Sequence, residues 1–522
     1  MSEKPNIVYL LNDHQAFYLH GEMTGGPKIK KPNFEKLAAK GVEFTRSYTC
    51  CPLCAPARRT MLTGLFPHTH HELTNLSFNE FKNETYLEKL AEAGYKNYYY
   101  GKWHAGPGTA FDHKCEGFSY PDYNNPYTKP EYAEYLKKYD LPHFEVRIQR
   151  SFSEPNSDFN KRLGINIVPG ELHRIEGAAC TESATGIMTT PKESHEAFFL
   201  ADLACERLRK IAQEGNKEPF HLRVDFWGPH QPYYATQEFL DLYPPESIPE
   251  YPNFRDDLKN KPKTYQSERN YPLHKLGKII HPNPLPWPEW QKVLALCYAQ
   301  QTLIDKAAGL ILDTLDELGL SDNTIIIWTT DHGDAVACHG GHFDKDAYMP
   351  EEMMRVPMAL SFPGVVPTGQ KSQKLVSTID VAPTILDAAG TSFTNPVHGQ
   401  SILPICKNND AEWREDLMCE TNGHFSVHIG RMIVKDQYKY VWNERDMDEL
   451  YDLDEDPYEM NNFIDDDAHQ EILDDMKSRL EKWRLKTTDN MTRKILRKDR
   501  AKFAREKAQL TTLVNLDKRK EY

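Results

Sequence analysis

The 522-residue chain contains no apolar stretch near the about 18 residues that a membrane-spanning helix needs. Its amino-terminal apolar run covers only residues 7–11, which is too short for the hydrophobic region of a signal peptide. The ten cysteines are scattered without the spacing of a disulfide framework, which favours free thiols in a reducing compartment. We therefore predict a cytoplasmic protein without a membrane partner.

Positive charge is also scarce, because 63 lysines and arginines face 77 aspartates and glutamates, a formal charge of −14. Such a surface repels nucleic acid, so we predict no nucleic-acid partner, although a buried pocket can still be locally positive. Residues 482–522 are the exception, with 14 Lys and Arg against 5 Asp and Glu. We interpret them as a basic helical tail, and a tail that packs on an acidic neighbour would favour a homo-oligomer.

Short apolar segments alternate with helical ones along the chain. Residues 6–11, 220–230 and 323–334 are rich in β-branched or aromatic residues, and each leads into a polar turn containing Asp or His. Residues 290–318 have the 3.6-residue apolar spacing of a helix. This alternation indicates an α/β fold with a buried, mostly parallel sheet, in which sites form at the carboxyl ends of strands. We expect the three polar strand ends to meet there.

The chain is expected to divide into one large domain and two smaller parts. Residues 377–390 have the pattern of a strand, turn and helix that closes the large domain, which we assign to residues 1–395. Residues 396–480 are predicted to form an α+β subdomain, because residues 438–463 suggest a small antiparallel sheet. The basic tail is assigned to residues 481–522.

The segment SYTCCPLCAPARRTMLTG, residues 47–64, places three cysteines in a context that allows several interpretations. Cys51 and Cys54 have the spacing of a redox dithiol or of half a zinc site. A dithiol is expected at a helix start directly after the first strand, and a zinc site needs two more ligands nearby. Cys54 also begins the run Cys-Ala-Pro-Ala-Arg, which suits a single nucleophile with Arg58 facing an anion.

Further candidates for chemistry follow the predicted strands. Asp13 and His14 come after the first strand, and Asp331 and His332 come after the strand near residue 328. Carboxylates with imidazoles suit a divalent cation, from calcium to manganese or zinc. Cations and imidazoles that could bind a tetrahedral oxyanion are also present. They are Arg58, Lys102, His104, His230 and Lys345.

Taken in order, these motifs resemble the sulfatases of the alkaline-phosphatase superfamily. The resemblance is carried by CAPAR at residues 54–58 with LTG after it, GKWH at 101–104, PHQPY at 229–233 and TDHGD at 330–334, and it extends to about residue 463. It implies an alkaline-phosphatase-like α/β sandwich and hydrolysis of a sulfate ester. It also implies a maturation enzyme that oxidises Cys54 to formylglycine, whose hydrated form supplies the attacking hydroxyl.

The resemblance assigns the remaining roles residue by residue. Lys102 and Lys345 match the lysines that bind sulfate, and Arg58 matches the residue that orients the modified cysteine. His104 matches the base that assists sulfate expulsion, and His230 matches a residue near the leaving oxygen. Asn75 is a further candidate for contact with the oxyanion. The implied ligands of one divalent metal are Asp13, His14, Cys54, Asp331 and His332.

Two positions depart from the family pattern. Many sulfatases have an Asp-Asp pair at the first position and an Asp-Asn pair at the second, which suit calcium. Here His14 and His332 are the second residues of these pairs. We expect calcium as the favoured metal. Imidazole ligands shift the metal preference toward manganese, zinc or iron. If His14 is not itself a ligand, calcium can still bind. Related phosphonate monoester hydrolases and phosphodiesterases also use Asp-His, so a phosphorus ester is the alternative substrate. A further alternative function is non-catalytic: Cys54 stays unmodified and the protein only binds sulfated ligands. The expected substrate is a small carbohydrate, aryl or choline sulfate.

Overall fold

A computed structural model describes residues 4–121, 126–152, 167–174, 184–270, 285–424 and 427–518. Its strands, numbered in chain order, are β1 Asn6–Asp13, β2 Val42–Phe44, β3 Ser47–Tyr48, β4 Lys96–Lys102, β5 Cys115–Tyr120, β6 Glu145–Ser151, β7 Leu172–Arg174, β8 Ala184–Met188, β9 Phe220–Pro229, β10 Tyr233–Thr236, β11 Thr324–Thr330, β12 Met358–Ser361, β13 Gln370–Ser372, β14 Val376–Ser377, β15 Asp416–Thr421, β16 Gly430–Lys435, β17 Tyr438–Asn443 and β18 Glu449–Asp452.

The helices vary in length from single turns to more than thirty residues. They are α1 His20–Met23, α2 Pro32–Ala39, α3 Cys54–Thr63, α4 Pro67–His70, α5 Tyr86–Glu92, α6 Pro130–Lys138, α7 Glu196–Gln213, α8 Gln237–Leu240, α9 Lys263–Asn270, α10 Trp287–Glu317, α11 Glu351–Met354, α12 Val381–Ala388, α13 Leu403–Lys407, α14 Gln470–Lys486 and α15 Arg493–Lys518. None of the described helices is long and apolar enough to cross a membrane.

The centre of the fold is an eight-stranded sheet in the order β13-β2-β12-β11-β1-β9-β4-β5. Strand β1 pairs in parallel with β11 and β9, and β4 pairs in parallel with β9 and β5. Among the described strands of this sheet, only β12 runs antiparallel to its neighbours. The predicted α/β fold with a mostly parallel sheet is therefore confirmed. The helix predicted at residues 290–318 is also confirmed, as the 31-residue helix Trp287–Glu317.

Both faces of the sheet are covered, which explains why its strands are continuous apolar runs. Side chains alternate between the two faces of a strand. Val8 and Leu10 of β1 pack into one buried cluster with α7 and α10, whereas Ile7, Tyr9 and Leu11 pack into another with α5 and α12. The polar end of β1 is thus held rigidly between two cores.

Residues 107–195 and 231–290 are rich in Pro, Tyr, Asn and charge, a composition that predicts long loops with local structure, but they contain more regular structure than that. Strands β10, β8, β6 and β7 form a second, four-stranded sheet within residues 145–236. Its strands have three to seven residues, too short for a clear alternating pattern against a polar background. Parts of these regions, residues 153–166, 175–183 and 271–284, lie outside the described residues.

The carboxyl-terminal part is built on the antiparallel sheet β15-β16-β17-β18, with α14 packed against it. The small antiparallel sheet predicted from residues 438–463 corresponds to its hairpin β17–β18. Met418 and Leu473 of this part share one buried cluster with Cys50 and Phe66, so the two parts of the chain share a core. The proposed domain boundaries and the homo-oligomer stay predictions.

Gly101 allows β4 to approach β9 closely, and this approach suggests a test of the sheet. A Cβ at position 101 would lie 2.1 Å from the carbonyl oxygen of Asp225, and the backbone φ is +115°. Replacing Gly101 with alanine should therefore lower the free energy of unfolding by about 2–4 kcal/mol through strain and overpacking. Chemical denaturation would measure this loss.

Gly94→Ala is the matched control, because φ is +87° there but a Cβ would meet no described atom within 4 Å. Only the conformational strain, about 1 kcal/mol, should remain in that variant. Equal losses in the two variants would contradict the importance of the close approach at Gly101.

Candidate active site

The polar strand ends meet at one edge of the central sheet, as the sequence predicts. Asp13 is the last residue of β1, and Asp331 and His332 directly follow β11, its parallel neighbour. Lys102 ends β4, and His230 directly follows β9 on the other side of β1. All five side chains are buried, so they face one another and not bulk solvent.

Cys54 enters this group as the first residue of helix α3. The Leu53 side chain at the N-cap accepts no hydrogen bond from the first turn. Asn75 instead supplies an acceptor, since its Oδ1 receives the backbone N–H of Ala55 at 3.0 Å. The start of a helix also carries a partial positive charge, which favours an anion near Cys54.

The first candidate metal group consists of Asp13, Cys54, Asp331 and His332, whose donor atoms lie within 4.8 Å of one another. Sγ of Cys54 lies 3.1 Å from Nε2 of His332 and 3.8 Å from Oδ1 of Asp13. Nδ1 of His332 lies 2.8 Å from the carbonyl oxygen of Gly333, so it is the protonated nitrogen and the Nε2 lone pair faces Cys54. Two carboxylates and an imidazole lone pair form a donor set that fits a divalent cation.

Arg58 holds the carboxylates of this group in place. Its guanidinium lies 2.8 Å from Asp331, 2.9 Å from Asp225 and 3.3 Å from Asp13, and all four side chains are buried. Burial opposes the charge of Arg58, but the three carboxylates outweigh it and raise the pKa of the guanidinium. The pKa of Asp331 is lowered although its burial acts in the opposite direction, because His332, Arg58 and Lys102 favour the charged form.

Two lysines place positive charge near Cys54. Lys102 forms a buried ion pair with Asp13. Nζ of Lys345 lies 2.7 Å from Nε2 of His230 and 3.1 Å from Oδ1 of Asp344. Burial opposes the charge of Lys345, but nearby negative groups, chiefly Asp344, outweigh it and raise the pKa of the ammonium group. The ammonium group of Lys345 is therefore charged at neutral pH.

The two histidines assigned to the substrate side are neutral. Burial, followed by the charge of Lys345, holds the pKa of His230 well below its usual value, and burial with the charge of Lys102 does the same for His104. His104 follows β4 in a left-handed conformation with φ of 41°. A neutral imidazole can accept a proton during a reaction, so both residues suit proton transfer.

His14 lies next to the first metal group but is not a member of it. Its backbone N–H donates to Oδ1 of Asp331 at 3.0 Å, while its ring belongs to a second group with His230 and Asp344. The rings of His14 and His332 have their centroids 4.7 Å apart. The five metal ligands expected from the sequence are thus divided: four lie in the first group, and His14 lies in the adjacent second group.

The cysteines near Cys54 are free and buried, as are all nine cysteines that the structure describes. Sγ of Cys50 lies 3.7 Å from Oγ1 of Thr60, and neither Cys50 nor Cys51 belongs to a candidate metal group among the described residues. The dithiol and zinc-site interpretations of the Cys51–Cys54 spacing therefore have no support in this geometry.

Comparison with known proteins identifies the family. Residues 5–391 match the Sulfatase family, and residues 338–486 match the family described as N-sulphoglucosamine sulphohydrolase, C-terminal. The chain belongs to the sulfatase family. It is therefore a sulfuric ester hydrolase of the alkaline-phosphatase superfamily.

Individual relatives of this sulfatase are distant but match along nearly their whole length. An arylsulfatase of Clostridium perfringens is 26% identical over 478 residues, covering 90% of this chain and 92% of its own. An N-acetylglucosamine-6-O-sulfatase of Bacteroides thetaiotaomicron is 26% identical over 505 residues, covering 94% and 88%. The solved phosphonate monoester hydrolase of Agrobacterium radiobacter has the same fold, with a TM-score of 0.69, 18% identity, and coverage of 93% and 96%.

Three buried carboxylates near the candidate site were not assigned a role from the sequence. Asp225 lies inside the buried strand β9, where it accepts hydrogen bonds from Arg58, Arg223 and Tyr99. Asp334 and Asp344 lie near His14, and burial raises the pKa of Asp334 to about 7. Two signals were available in the sequence: Asp334 ends the TDHGD motif, and Asp344 directly precedes Lys345.

Helix α15 lies outside the residues matched to either family and contacts the loop that carries Asn75. The Asp499 carboxylate accepts hydrogen bonds from Oγ of Ser77 at 2.5 Å and Nδ2 of Asn79 at 2.6 Å. Oγ of Ser77 in turn accepts the backbone N–H groups of Leu73 and Thr74. The basic tail thus holds the turn that places Asn75 against the start of helix α3.

Asp499→Ala should therefore loosen this turn, because Ser77 and Asn79 lose a shared acceptor. A loss of about 1.4 kcal/mol in local stability corresponds to about tenfold faster amide exchange at Leu73 and Thr74. Hydrogen–deuterium exchange with mass spectrometry would measure it. Lys498→Ala, at the exposed neighbouring position, should leave exchange in this turn unchanged. Unchanged exchange in Asp499→Ala would contradict the contact.

Proposed function

We propose that this sulfatase hydrolyses a sulfate ester of a small carbohydrate, using formylglycine formed from Cys54 and a divalent metal bound beside it. The observation that carries the proposal is the convergence on Cys54 of two carboxylates, an imidazole and two lysines. A nucleophile, a cation site and an anion site therefore share one buried pocket. A maturation enzyme that oxidises Cys54 is the implied partner.

The state of the Cys54 thiol supports a modified nucleophile. Burial raises the pKa of Cys54 to about 12, although Lys345 and Lys102 act in the opposite direction. An unmodified thiol would therefore be protonated at neutral pH, and the thiol is a far weaker nucleophile than the thiolate. Formylglycine at this position would supply a geminal hydroxyl as the nucleophile in place of sulfur.

Asp13, Asp331 and His332, with residue 54, would hold the metal. A divalent ion there would supply Lewis-acid chemistry by lowering the pKa of a hydroxyl on residue 54 and by polarising a sulfate oxygen. Calcium was expected first from the family, but the Nε2 lone pair of His332 favours manganese or zinc in this donor set. Arg58 holds both carboxylates in place through ion pairs, and its charge helps to lower the pKa of Asp331.

The other side chains are placed to bind the anion and move protons. Lys102 and Lys345 would bind sulfate oxygens, since two ammonium groups offset the charge of the ester in a buried pocket. Neutral His104 would take the proton that leaves residue 54 when sulfate is expelled. Nε2 of His230 contacts Nζ of Lys345, and by its resemblance to the family His230 would lie near the leaving oxygen.

The substrate class is supported by a relative that is named an N-acetylglucosamine-6-O-sulfatase and covers nearly the whole chain. Aryl and choline sulfates are further candidates. Aromatic side chains near His230 could stack on a sugar ring. Tyr233 is not available for this, because it is buried and its hydroxyl donates to Asp334. The free state of the nine described cysteines supports the proposed reducing, cytoplasmic location.

Hydrolysis of a phosphonate or phosphate ester is the second candidate, because the Asp331–His332 pair contributes an imidazole to the metal group. A panel of 4-nitrophenyl sulfate, glucosamine 6-sulfate, phenyl phosphonate and phosphate esters, assayed with calcium, manganese and zinc, separates the two. We expect the highest kcat/KM on a sulfate ester. A phosphorus ester with a higher value would reverse the assignment.

Modification of Cys54 can be tested directly on the tryptic peptide of residues 47–58 from the native host. Formylglycine makes this peptide about 18 Da lighter than the thiol form. Cys54→Ala should also lower turnover of a sulfate ester by about 10³-fold or more, since the nucleophile is lost. A wholly unmodified peptide would favour the non-catalytic alternative, in which the chain only binds sulfated ligands.

Lys345→Ala should weaken catalysis less completely than Cys54→Ala, because Lys102 remains to bind the anion. We expect kcat/KM for a sulfate ester to fall by about 10²-fold, or about 2.7 kcal/mol. Steady-state kinetics would measure it. Lys292→Ala is the control, since that lysine is exposed on helix α10 and pairs with Glu289. Equal rates in Lys345→Ala and the wild type would exclude Lys345 from the anion site.

A further inference from the structure

Helix α15 and the turn between β17 and β18 form the walls of an open groove with a volume of about 460 Å³, which we call the basic groove. None of the residues placed in the pocket around Cys54 lines it. Five of its six described lining residues are cations, and the full set is Arg445, Arg493, Lys494, Arg497, Lys498 and Ala501. We infer that the basic groove is a second anion site, which binds a saccharide carrying several sulfate groups.

Most of the positive charge in the basic groove has no counter-charge. Only Arg493 is neutralised, since its guanidinium lies 2.5 Å from the Glu444 carboxylate. The other four cations are exposed, and their side chains form no ion pair or hydrogen bond with any residue that the structure describes. Four cations that line one groove without an acidic partner create a local positive potential, although the whole chain is acidic.

The positions of these cations within helix α15 oppose helix formation. The first two turns of the helix carry a partial positive charge from the peptide dipoles, and the first turn contains no acidic residue. Arg493 and Arg497 are four residues apart, as are Lys494 and Lys498, and like charges at this spacing destabilise a helix. A bound anion would remove both unfavourable contributions.

The acidic residues of helix α15 do not relieve this repulsion, because they contact other parts of the protein. The Asp499 carboxylate accepts hydrogen bonds from Ser77 and Asn79. Glu506 lies 3.8 Å from Lys502, which does not line the basic groove. The lining face of the helix is therefore purely cationic in the part of the chain that the structure describes.

Buried contacts hold the two walls of the basic groove together. Arg493 donates to the carbonyl oxygens of Val427 at 3.2 Å and Glu444 at 2.9 Å, and so joins the start of α15 to the β17–β18 turn. Leu496, on another face of the helix, is buried in a cluster with Leu73. Because the backbone of both walls is fixed, a ligand has to order only the cationic side chains, which lowers the entropic cost of binding.

The backbone at Arg445 adds an independent observation. This residue has φ of 64°, in the left-handed region that glycine and asparagine adopt most readily. Residues held in such conformations cluster at functional sites. The Arg445 guanidinium bonds to no described residue, so a ligand is the partner that would account for an arginine at this position.

The size and chemistry of the basic groove indicate its ligand. Its volume is within the range of about 300–1,000 Å³ that is usual for small-molecule sites, and is larger than a single sulfate ion needs. Guanidinium groups match the oxygens of sulfate in a bidentate manner, and four unpaired cations require several anionic groups. A sulfatase encounters such groups on its substrates. The choice of a saccharide as their carrier rests on the proposed function.

The basic groove is also separate from the matched catalytic fold. Helix α15 lies outside residues 5–391 and 338–486, which match the two families. Nucleic acid is a less suitable occupant, because the formal charge of −14 on the whole chain repels a long polyanion outside the groove. A compact, multiply sulfated saccharide would contact the groove alone.

Binding of sucrose octasulfate to the full-length protein tests the inference. Titration calorimetry would be carried out on Cys54→Ala, which cannot turn the probe over, and on variants made in that background. Arg445→Ala and Arg497→Ala should each weaken binding by about tenfold, since each removes one charge-assisted contact. Added salt should weaken binding to the unaltered groove, because exposed charges are screened.

Two controls separate the basic groove from other cations. Arg209→Ala removes an exposed arginine of helix α7 and should leave the affinity for sucrose octasulfate unchanged. Lys345→Ala removes a cation of the buried pocket and should also leave it unchanged. Equal affinities in the groove variants and in Cys54→Ala alone, or a loss of binding in Lys345→Ala instead, would overturn the inference.

Other occupants predict different results. Tighter binding of a short DNA duplex than of sucrose octasulfate would overturn the assignment in favour of nucleic acid. A dimer detected by light scattering in the wild type and lost in Arg445→Ala and Arg497→Ala would overturn it in favour of a second copy of this chain. We expect neither result.

Turnover of 4-nitrophenyl sulfate separates this inference from the proposed function. Arg445→Ala and Arg497→Ala, made in the wild-type background, should turn over this small ester at the wild-type rate. If turnover is observed but the groove variants bind sucrose octasulfate normally, the inference about the basic groove fails alone. If the groove variants lose binding but no sulfate ester is hydrolysed by the wild type, the proposed function fails alone.

Discussion

One buried arginine makes the pocket possible. Asp13, Asp225 and Asp331 come from three adjacent strands, and three buried carboxylates so close together would repel one another and lose hydration. The planar guanidinium of Arg58 contacts all three, because its donors are arranged in a fixed fork. A lysine, with a single point of charge, could not bridge three strands in this way.

This contact also fixes the position of Cys54. Arg58 lies one turn further along helix α3, so anchoring its side chain under the strand ends sets the start of the helix over the metal group. The signature spacing Cys-x-x-x-Arg is therefore a geometric requirement: four residues place both side chains on the same face of a helix. The cysteine faces the pocket because the arginine faces the carboxylates.

Much of the fold and site could be predicted from residues with strong local patterns. The strands around Leu10 and Ile326 are continuous apolar runs, so the polar residues that end them were evident. The contact of Asp225 was not evident from the sequence. A single acid inside a buried strand gives no periodic signal, and its partner Arg58 is far away in sequence. The separation of His14 from His332 has the same origin, because it depends on how neighbouring loops turn and not on the residue types.

The short strands and the contacts of the basic tail also could not be predicted from the sequence. Strands such as β7, with three residues, are stabilised by cross-strand pairing and not by their own composition, so their sequences resembled loops. The basic composition of the tail indicated a helix but not its contact. Asp499, one of the few acids in that segment, is the residue that reaches the loop of Asn75.

The position of Asp499 has a consequence for biosynthesis. It lies 422 residues after Ser77, so the loop beside Cys54 leaves the ribosome long before the residue that holds it in place. At about 5–20 residues per second, the interval is about 20–80 s. Strands β9, β11, β12 and β13 of the central sheet are synthesised within that interval, so the sheet can be complete while the turn that carries Asn75 still lacks the Asp499 carboxylate.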